Sequence, residues 1–313
     1  CNQNVAGWHI LHERHNLMAL GGALASRRLG IPLVLEVNAD MLAQREFKRT
    51  PERGLRRWFA VWATQFAFDT AARIICVSSD LKEHLANQWG VDEARLVVLP
   101  CAADIEAFKR RYDQKLVRGQ LGLDDEPVIM WIGGFYPWHD LDLLIDSFRR
   151  VLETHPEARL VMVGDGVDQP RIEAKVRREG LENTITMTGR TAHTKVPKLL
   201  SIADVAVAPD VAIPASQGGT GTPLKLFEYM AAGKPIVSTA SVQASAVLQH
   251  GETGLLADPG DVEAFATAII DLLNNPGKRE RLSRSARRAA VAYHSWEHYT
   301  TQLEQVYRSI SEG

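Results

Sequence analysis

The sequence has little of what marks a secreted, membrane-spanning or nucleic-acid-binding protein. Its 313 residues include three cysteines, Cys1, Cys76 and Cys101. Three is an odd number and their spacing suits no metal, which argues against a disulfide framework and predicts inert thiols in a reducing environment. No apolar run reaches the roughly 18 residues that a membrane helix needs, and no signal-like segment opens the chain, so the cytosol is the expected compartment. A net charge of -2 argues against the basic footprint of nucleic-acid binding. There is no internal repeat. The chain opens on Cys and Asn rather than Met, from which we expect that upstream sequence is missing.

What is present is an alternation of short Val- and Ile-rich runs with amphipathic stretches, the pattern of βα units around parallel sheets. A first block offers strands at Trp8–His12, Pro32–Val37, Arg73–Val77 and Arg95–Leu99. A polar helical connector, Ile105–Gly122, leads to a turn at Asp124–Pro127, and the pattern restarts at Val128–Ile132. Further strands follow at Arg159–Val163, Thr184–Met187, Val205–Ala208, Pro235–Ser238 and Gly254–Leu256. The expected fold is α/β, with two doubly wound Rossmann-like domains. Residues 1–122 form the first, with the amphipathic segment 295–313 packing back on it, and residues 123–294 form the second. The first has only about four strands and no Gly-rich turn behind its opening strand, so it reads as incomplete.

The run Gly218–Met230 carries the most chemistry. Gly218, Gly219 and Gly221 allow close approach of backbone to a ligand. Thr222 is a good N-cap and Pro223 suits the first helical position, so a helix is expected to start here with free N–H groups facing an anion. Lys225 adds a cation to the first turn, where an acid is ordinarily favoured, and that inversion suggests a phosphate. Glu228, about one turn on, could accept from hydroxyls on whatever carries that phosphate. The alternative for this run alone is a capped surface helix behind a plain loop.

Four landmarks in order give the second block a resemblance to the nucleotide-sugar-binding domain of GT-B glycosyltransferases, and within them to the retaining family 4. They are Trp131–Asp140 (Trp-Ile-Gly-Gly-Phe-Tyr-Pro-Trp-His-Asp), Val163–Gly166, Thr188–Arg190 and the Gly218–Met230 run. In the first block His12–His15, Gly30–Asn38 and Cys76–Ser79 resemble acceptor-domain segments of the same family. The resemblance implies a metal-independent enzyme without a cofactor, of bacterial type. It would move a sugar from a nucleoside diphosphate donor to a glycan, lipid-linked or secondary-metabolite acceptor, with the anomeric configuration kept.

The resemblance assigns roles residue by residue. Leu224 and Lys225 amides, the Lys225 ammonium and His139 would stabilise the departing diphosphate. Glu228 would hold the ribose, Gly189 and Arg190 would contact the base, and Gly133, Gly134, Thr220, Gly221 and Thr222 would line the donor site. Arg14, Glu36 and Asn38 would lie on the acceptor or sugar side. Three departures stand out: Thr220 where the family has a first glutamate, and Gly134 and His139 where it has an Arg and a Lys. They keep open a nucleotide-sugar-binding protein without turnover. An epimerase of the same fold is a further alternative, although no matching acid–base set surrounds a sugar ring.

Other features have two readings each. Asp140-Leu-Asp142 looks like a metal-binding acid pair, but acids also favour the start of a helix. Gly164-Asp-Gly166 suits a tight strand-to-helix turn better than a phosphate grip. His12, Glu13 and His15 around Arg14 suit either a ligand cleft or a surface loop, and Asn38 could instead cap backbone. The Arg45–Trp62 stretch mixes cations and aromatics in a way that suits peripheral contact with the inner face of a membrane. The plainer reading is a helix with its arginines in water and its aromatics in the core.

Overall fold

The computed structural model describes residues 9–47, 50–213 and 223–311. They form two compact units, one containing the chain up to Cys101 together with the C-terminal segment from Glu297, the other containing Ala102–Ala212 and Pro223–Trp296.

In the first unit β1 (Leu11–Arg14), β2 (Leu33–Val37), β3 (Arg73–Cys76) and β4 (Leu96–Val98) form a parallel sheet in chain order. β1 sits three residues later than expected because its ladder with β2 starts at Leu11 opposite Leu33 and continues with His15 N–H donating to Glu36 O. Alternation sends Leu33, Leu35, Val37 and Ile74 to one face, under Phe68 and Leu81. Val34 and Ile75 go to the other, under Tyr299, Leu303 and Tyr307 of the helix Trp296–Ser311. A sheet covered on both faces needs such continuously apolar strands.

Two corrections concern helices. The stretch 45–62 is split between helices Met41–Phe47 and Gly54–Thr70. The second buries a stripe of mostly small residues, Ala60, Ala63, Thr64, Ala67 and Phe68. Its larger apolar residues, Leu55, Trp58, Phe59 and Trp62, are exposed, so the reading that placed the aromatics in the core does not hold. The connector is not one helix but a 3-10 turn at Ala107–Lys109 and a helix at Gln114–Gly119. It belongs with the second unit, because Gln114 Nε2 donates to Ser201 O and Arg118 reaches Ile202 O and Asp204. The division therefore falls after Cys101, not after Gly122.

The second unit has six parallel strands: β5 (Val128–Ile132), β6 (Arg159–Val163), β7 (Ile185–Met187), β8 (Val205–Ala208), β9 (Ile236–Thr239) and β10 (Leu255–Ala257). Their order is β10-β9-β8-β5-β6-β7, the doubly wound arrangement with its reversal between β5 and β8. Trp131, Phe135, Phe148 and Phe265 are fully buried in its core.

Candidate functional site

In an open parallel sheet the ligand crevice lies beyond the C-terminal strand ends at the reversal point. β5 and β8 pair at Ile129–Val205 and Met130–Ala206. Just past those pairs Tyr229 enters between them: its hydroxyl accepts from Ile132 N–H at 2.8 Å and donates towards Val207 O at 3.4 Å. Burial pushes the phenol pKa upwards, so the hydroxyl keeps its proton.

The loops after β5, β6 and β7 are laced main chain to main chain. Gly133 N–H donates to Val163 O (3.0 Å), Phe135 N–H to Asp165 O (2.8 Å) and Gly164 N–H to Gly189 O (3.1 Å). Gly164 has φ 132°, and a Cβ there would lie 1.9 Å from Gly133 O. Glycine is needed for chain against chain. Gly133, Gly134 and Gly189 thus share one edge of the sheet, with Arg190 exposed beside them.

His139 and Asp210 pair across a β-bridge at the same edge. The Trp138 indole donates to His139 Nε2 at 3.1 Å, and His139 Nδ1 lies 2.5 Å from Asp210 Oδ1. Lys225 Nζ is 3.3 Å from the same oxygen, 2.9 Å from His139 Nδ1 and 5.5 Å over the Trp131 ring. Burial, with Lys225 next, holds His139 below its usual pKa. Burial also lowers Lys225, against the pull of Asp210. For Asp210 burial acts upwards, but Lys225 and His139 outweigh it and the carboxyl stays ionised. The Lys225 ammonium expected at the helix start therefore has an acidic partner, Asp210, that the sequence reading did not include. Lys225 and His139 are largely buried, and with Asp210 they form a formally neutral trio.

The helix expected after the Gly-rich run spans Leu224–Ala231, with Pro223 rather than Thr222 in the capping position. Thr220, Gly221 and Thr222 lie outside the described residues, as do Gly218 and Gly219. Leu226, Phe227, Tyr229 and Met230 anchor the helix in the core, while Leu224 is exposed at its start. Glu228 is partly buried and its Oε1 is held by the exposed His193. Asp140 caps the helix Leu141–Thr154 through Leu143 N–H, and Asp142 pairs with Arg171 and Lys175.

In the first unit Arg14 and Glu36 are register partners. The Asn38 amide donates to Glu36 Oε1 at 3.0 Å and accepts from Arg14. Tyr299 OH lies 3.5 Å from Glu36 Oε2, and His12 stands between that carboxylate (3.6 Å) and Tyr307 OH (2.5 Å). His12 is the largest influence holding the Glu36 carboxyl below its ordinary pKa, with Arg14 adding to it against burial. Glu36 is therefore an anion with the exposed Arg14 beside it.

Comparison with known proteins decides the family. Residues 113–289, more than half of the chain, match the family described as glycosyl transferases group 1, and residues 4–107 match Glycosyltransferase Family 4. The chain belongs to the group 1 glycosyl transferases. This glycosyltransferase is 24% identical to an alpha-D-kanosaminyltransferase of Streptomyces kanamyceticus, over 92% of its own length and 73% of that protein's. It is 29% identical to a D-inositol 3-phosphate glycosyltransferase of a Nocardioides species, over 98% and 68%. Its fold matches that of Anabaena HepE in complex with UDP, with a TM-score of 0.79, 23% identity and coverage of 96% and 79%. It also matches sucrose-phosphate synthase from Thermosynechococcus elongatus, with a TM-score of 0.73, 24% identity and coverage of 98% and 74%. The architecture is thus GT-B.

One of the glycosyltransferase's departures from the family pattern now has a physical account. A side chain at Gly134 would start 2.3 Å from the Tyr136 ring, so Tyr136, stacked on Trp138 at 4.5 Å, occupies the space that an Arg there would need. Asp210 was missed by sequence reasoning, although its place directly after β8 and Pro209, at a strand's C-terminal end, was a usable signal. His193, Tyr299 and Tyr307 carried no comparable signal, since their partners are 35, 263 and 295 residues away in the chain.

Proposed function

We propose that this glycosyltransferase moves a sugar from a nucleoside diphosphate donor to a glycan, lipid-linked or small-molecule acceptor, with the anomeric configuration kept and no metal needed. The observation that carries this reading is the β5/β8 crevice. A helix start, three glycine loops and the Glu228 carboxylate share its edge, which suits a phosphate attached to a polyol. HepE has been crystallised with UDP and with UDP-glucose, so uridine diphosphate sugars are the first donors to try.

In the transfer, the bond from the anomeric carbon to the diphosphate oxygen breaks and the acceptor oxygen bonds to that carbon on the vacated face. The acceptor's proton leaves with the diphosphate. Negative charge grows on phosphate oxygens, where the first amides of the 224–231 helix stabilise it. Lys225 and His139 act from behind that helix start, with Asp210 fixing their positions. Glu228 exchanges His193 for the ribose hydroxyls. Arg14, Glu36 and Asn38 orient the acceptor.

The test is single-turnover transfer from a panel of uridine, guanosine and adenosine diphosphate sugars, with the product's anomeric configuration read by NMR, with and without EDTA. Retained configuration at an EDTA-insensitive rate is expected. Inversion would overturn the stereochemical assignment. Tight nucleotide binding with no transfer over a broad acceptor panel would favour the reading without turnover, for which the burial of Lys225 against Asp210 is the specific motive.

A further inference from the structure

The ladder between β8 and β9 stops two residues short of Asp210. Ala206, Val207 and Ala208 are register partners of Ile236, Val237 and Ser238, and Ala206 N–H donates to Pro235 O. Four residues on, the same step would send Asp210 N–H to Thr239 O. It goes instead to Thr239 Oγ1 at 2.8 Å, and the hydroxyl returns its own proton to Asp210 O, also at 2.8 Å. One side chain thus serves both main-chain groups of Asp210, as a neighbouring strand would. Thr239 O is taken up by the Ser238 hydroxyl at 3.2 Å.

A hydroxyl is what this junction needs. Its single proton and its lone pairs can satisfy an acceptor and a donor at once, and branching at Cβ limits the rotamers open to it. Thr239 is fully buried, so water does not compete for either bond, and any effect on a ligand must pass through Asp210. On its other flank the segment 209–211 is bonded to the loop after β5: Asp140 N–H donates to Pro209 O at 3.0 Å and Val211 N–H to Trp138 O at 2.9 Å. Thr239 is therefore the β9 side of a two-sided clamp on Asp210.

Beyond Asp210 the contacts end on charge. The carboxylate lies 2.5 Å from His139 Nδ1 and 3.3 Å from Lys225 Nζ, and Lys225 is the second residue of the helix Leu224–Ala231. At those separations a shift of about 1 Å breaks the hydrogen bonds. We propose that Thr239 is a positioning residue for departure of the donor's diphosphate: it fixes the Asp210 main chain, and through the Asp210 carboxylate it sets where Lys225 and His139 stand. This role rests on the donor chemistry proposed above; the placement of the three side chains does not.

The experiment compares Thr239→Val, Thr239→Ser and Ser238→Ala in the full chain. Valine keeps the shape and loses both bonds, whereas serine can make both. Thr239→Ala repeats the loss without crowding and guards against a valine variant that fails to fold. Ser238 is equally buried and donates to Ala208 O at 2.9 Å, so Ser238→Ala removes hydroxyl bonds from the same strand but none to Asp210. With the donor that the parent uses, Thr239→Val should lose about tenfold or more in kcat at a donor KM within about twofold of the parent's. Thr239→Ser should restore most of the rate, and Ser238→Ala should keep it even where its melting temperature falls. The imidazole nitrogen resonances of His139, recorded by NMR without substrate, should move in Thr239→Val and stay in place in the other two. Full kcat in Thr239→Val, an equal loss in Ser238→Ala, no rescue by serine or unmoved resonances overturns the proposal. A raised KM at unchanged kcat also overturns it, by assigning Thr239 to donor binding alone. Moved resonances in a protein that transfers no sugar from any donor sink the donor reading and keep the clamp.

Discussion

The Lys225 ammonium lies 3.3 Å from the Asp210 carboxylate, and both side chains are largely withdrawn from water. Removing one partner of a buried pair leaves the other uncompensated. Asp210→Asn should therefore cost about 3 kcal/mol of stability, and the double variant Asp210→Asn, Lys225→Met should regain most of it. Urea denaturation of the two single variants and the double one measures the coupling. Additive losses would mean that the two groups do not act as a pair.

Glu228 is expected to hold the donor's ribose. Replacing it with Ala should weaken nucleoside diphosphate binding by more than about 1 kcal/mol, read by titration calorimetry. Unchanged affinity would remove Glu228 from the donor site and leave it as the partner of His193 only.

Tyr229→Phe removes the acceptor of Ile132 N–H while keeping the ring. An orphaned buried donor costs roughly 1–3 kcal/mol, and amide exchange at Ile132 and Gly133 should speed up more than at Val161 in the sheet interior. Exchange that rises uniformly would point to a global loss rather than to the β5/β8 gap.

His15 supplies a pH prediction. Burial lowers its pKa to about 4, with the Asp40 charge opposing, from an ordinary 6.5, and its Nδ1 has no hydrogen-bond partner among the described residues. Because the folded value is the lower one, the unfolded chain takes up this proton first as pH falls. Stability is lost from about pH 6.5 down to about 4, by roughly 3 kcal/mol from this group. In His15→Phe, which keeps a ring against Phe68, the fall between pH 7 and pH 5 should be shallower than in the parent. Parallel curves would show that His15 is not the buried titrating group.

Much of the fold was legible because strand residues carry their own burial pattern. Val128–Ile132 and Arg159–Val163 are apolar along their length and fall where the runs placed them. Trp58 and Trp62 were misplaced by the plainer reading because composition gives an aromatic residue no direction; only the Ala60–Ala63–Ala67 stripe, taken as the buried face, would have turned the helix round. In the site, Gly164 stood out because close chain contact admits only glycine there, and Gly189 because its φ of 67° favours glycine. The trio of His139, Asp210 and Lys225 was visible only in two of its members, since a pairing across 71 residues leaves no local trace. Arg14, Glu36 and Asn38 were found as a set because parallel strands end together.

The 1.9 Å that separates a would-be Cβ of Gly164 from Gly133 O couples the loops that meet there. Three loops from three separate strands meet in bare main chain, so a side chain introduced at Gly164 would have to move the loop after β5 as well as its own. Variation at this edge is sterically cheapest in the exposed side chain of Arg190, above main chain that is already in contact.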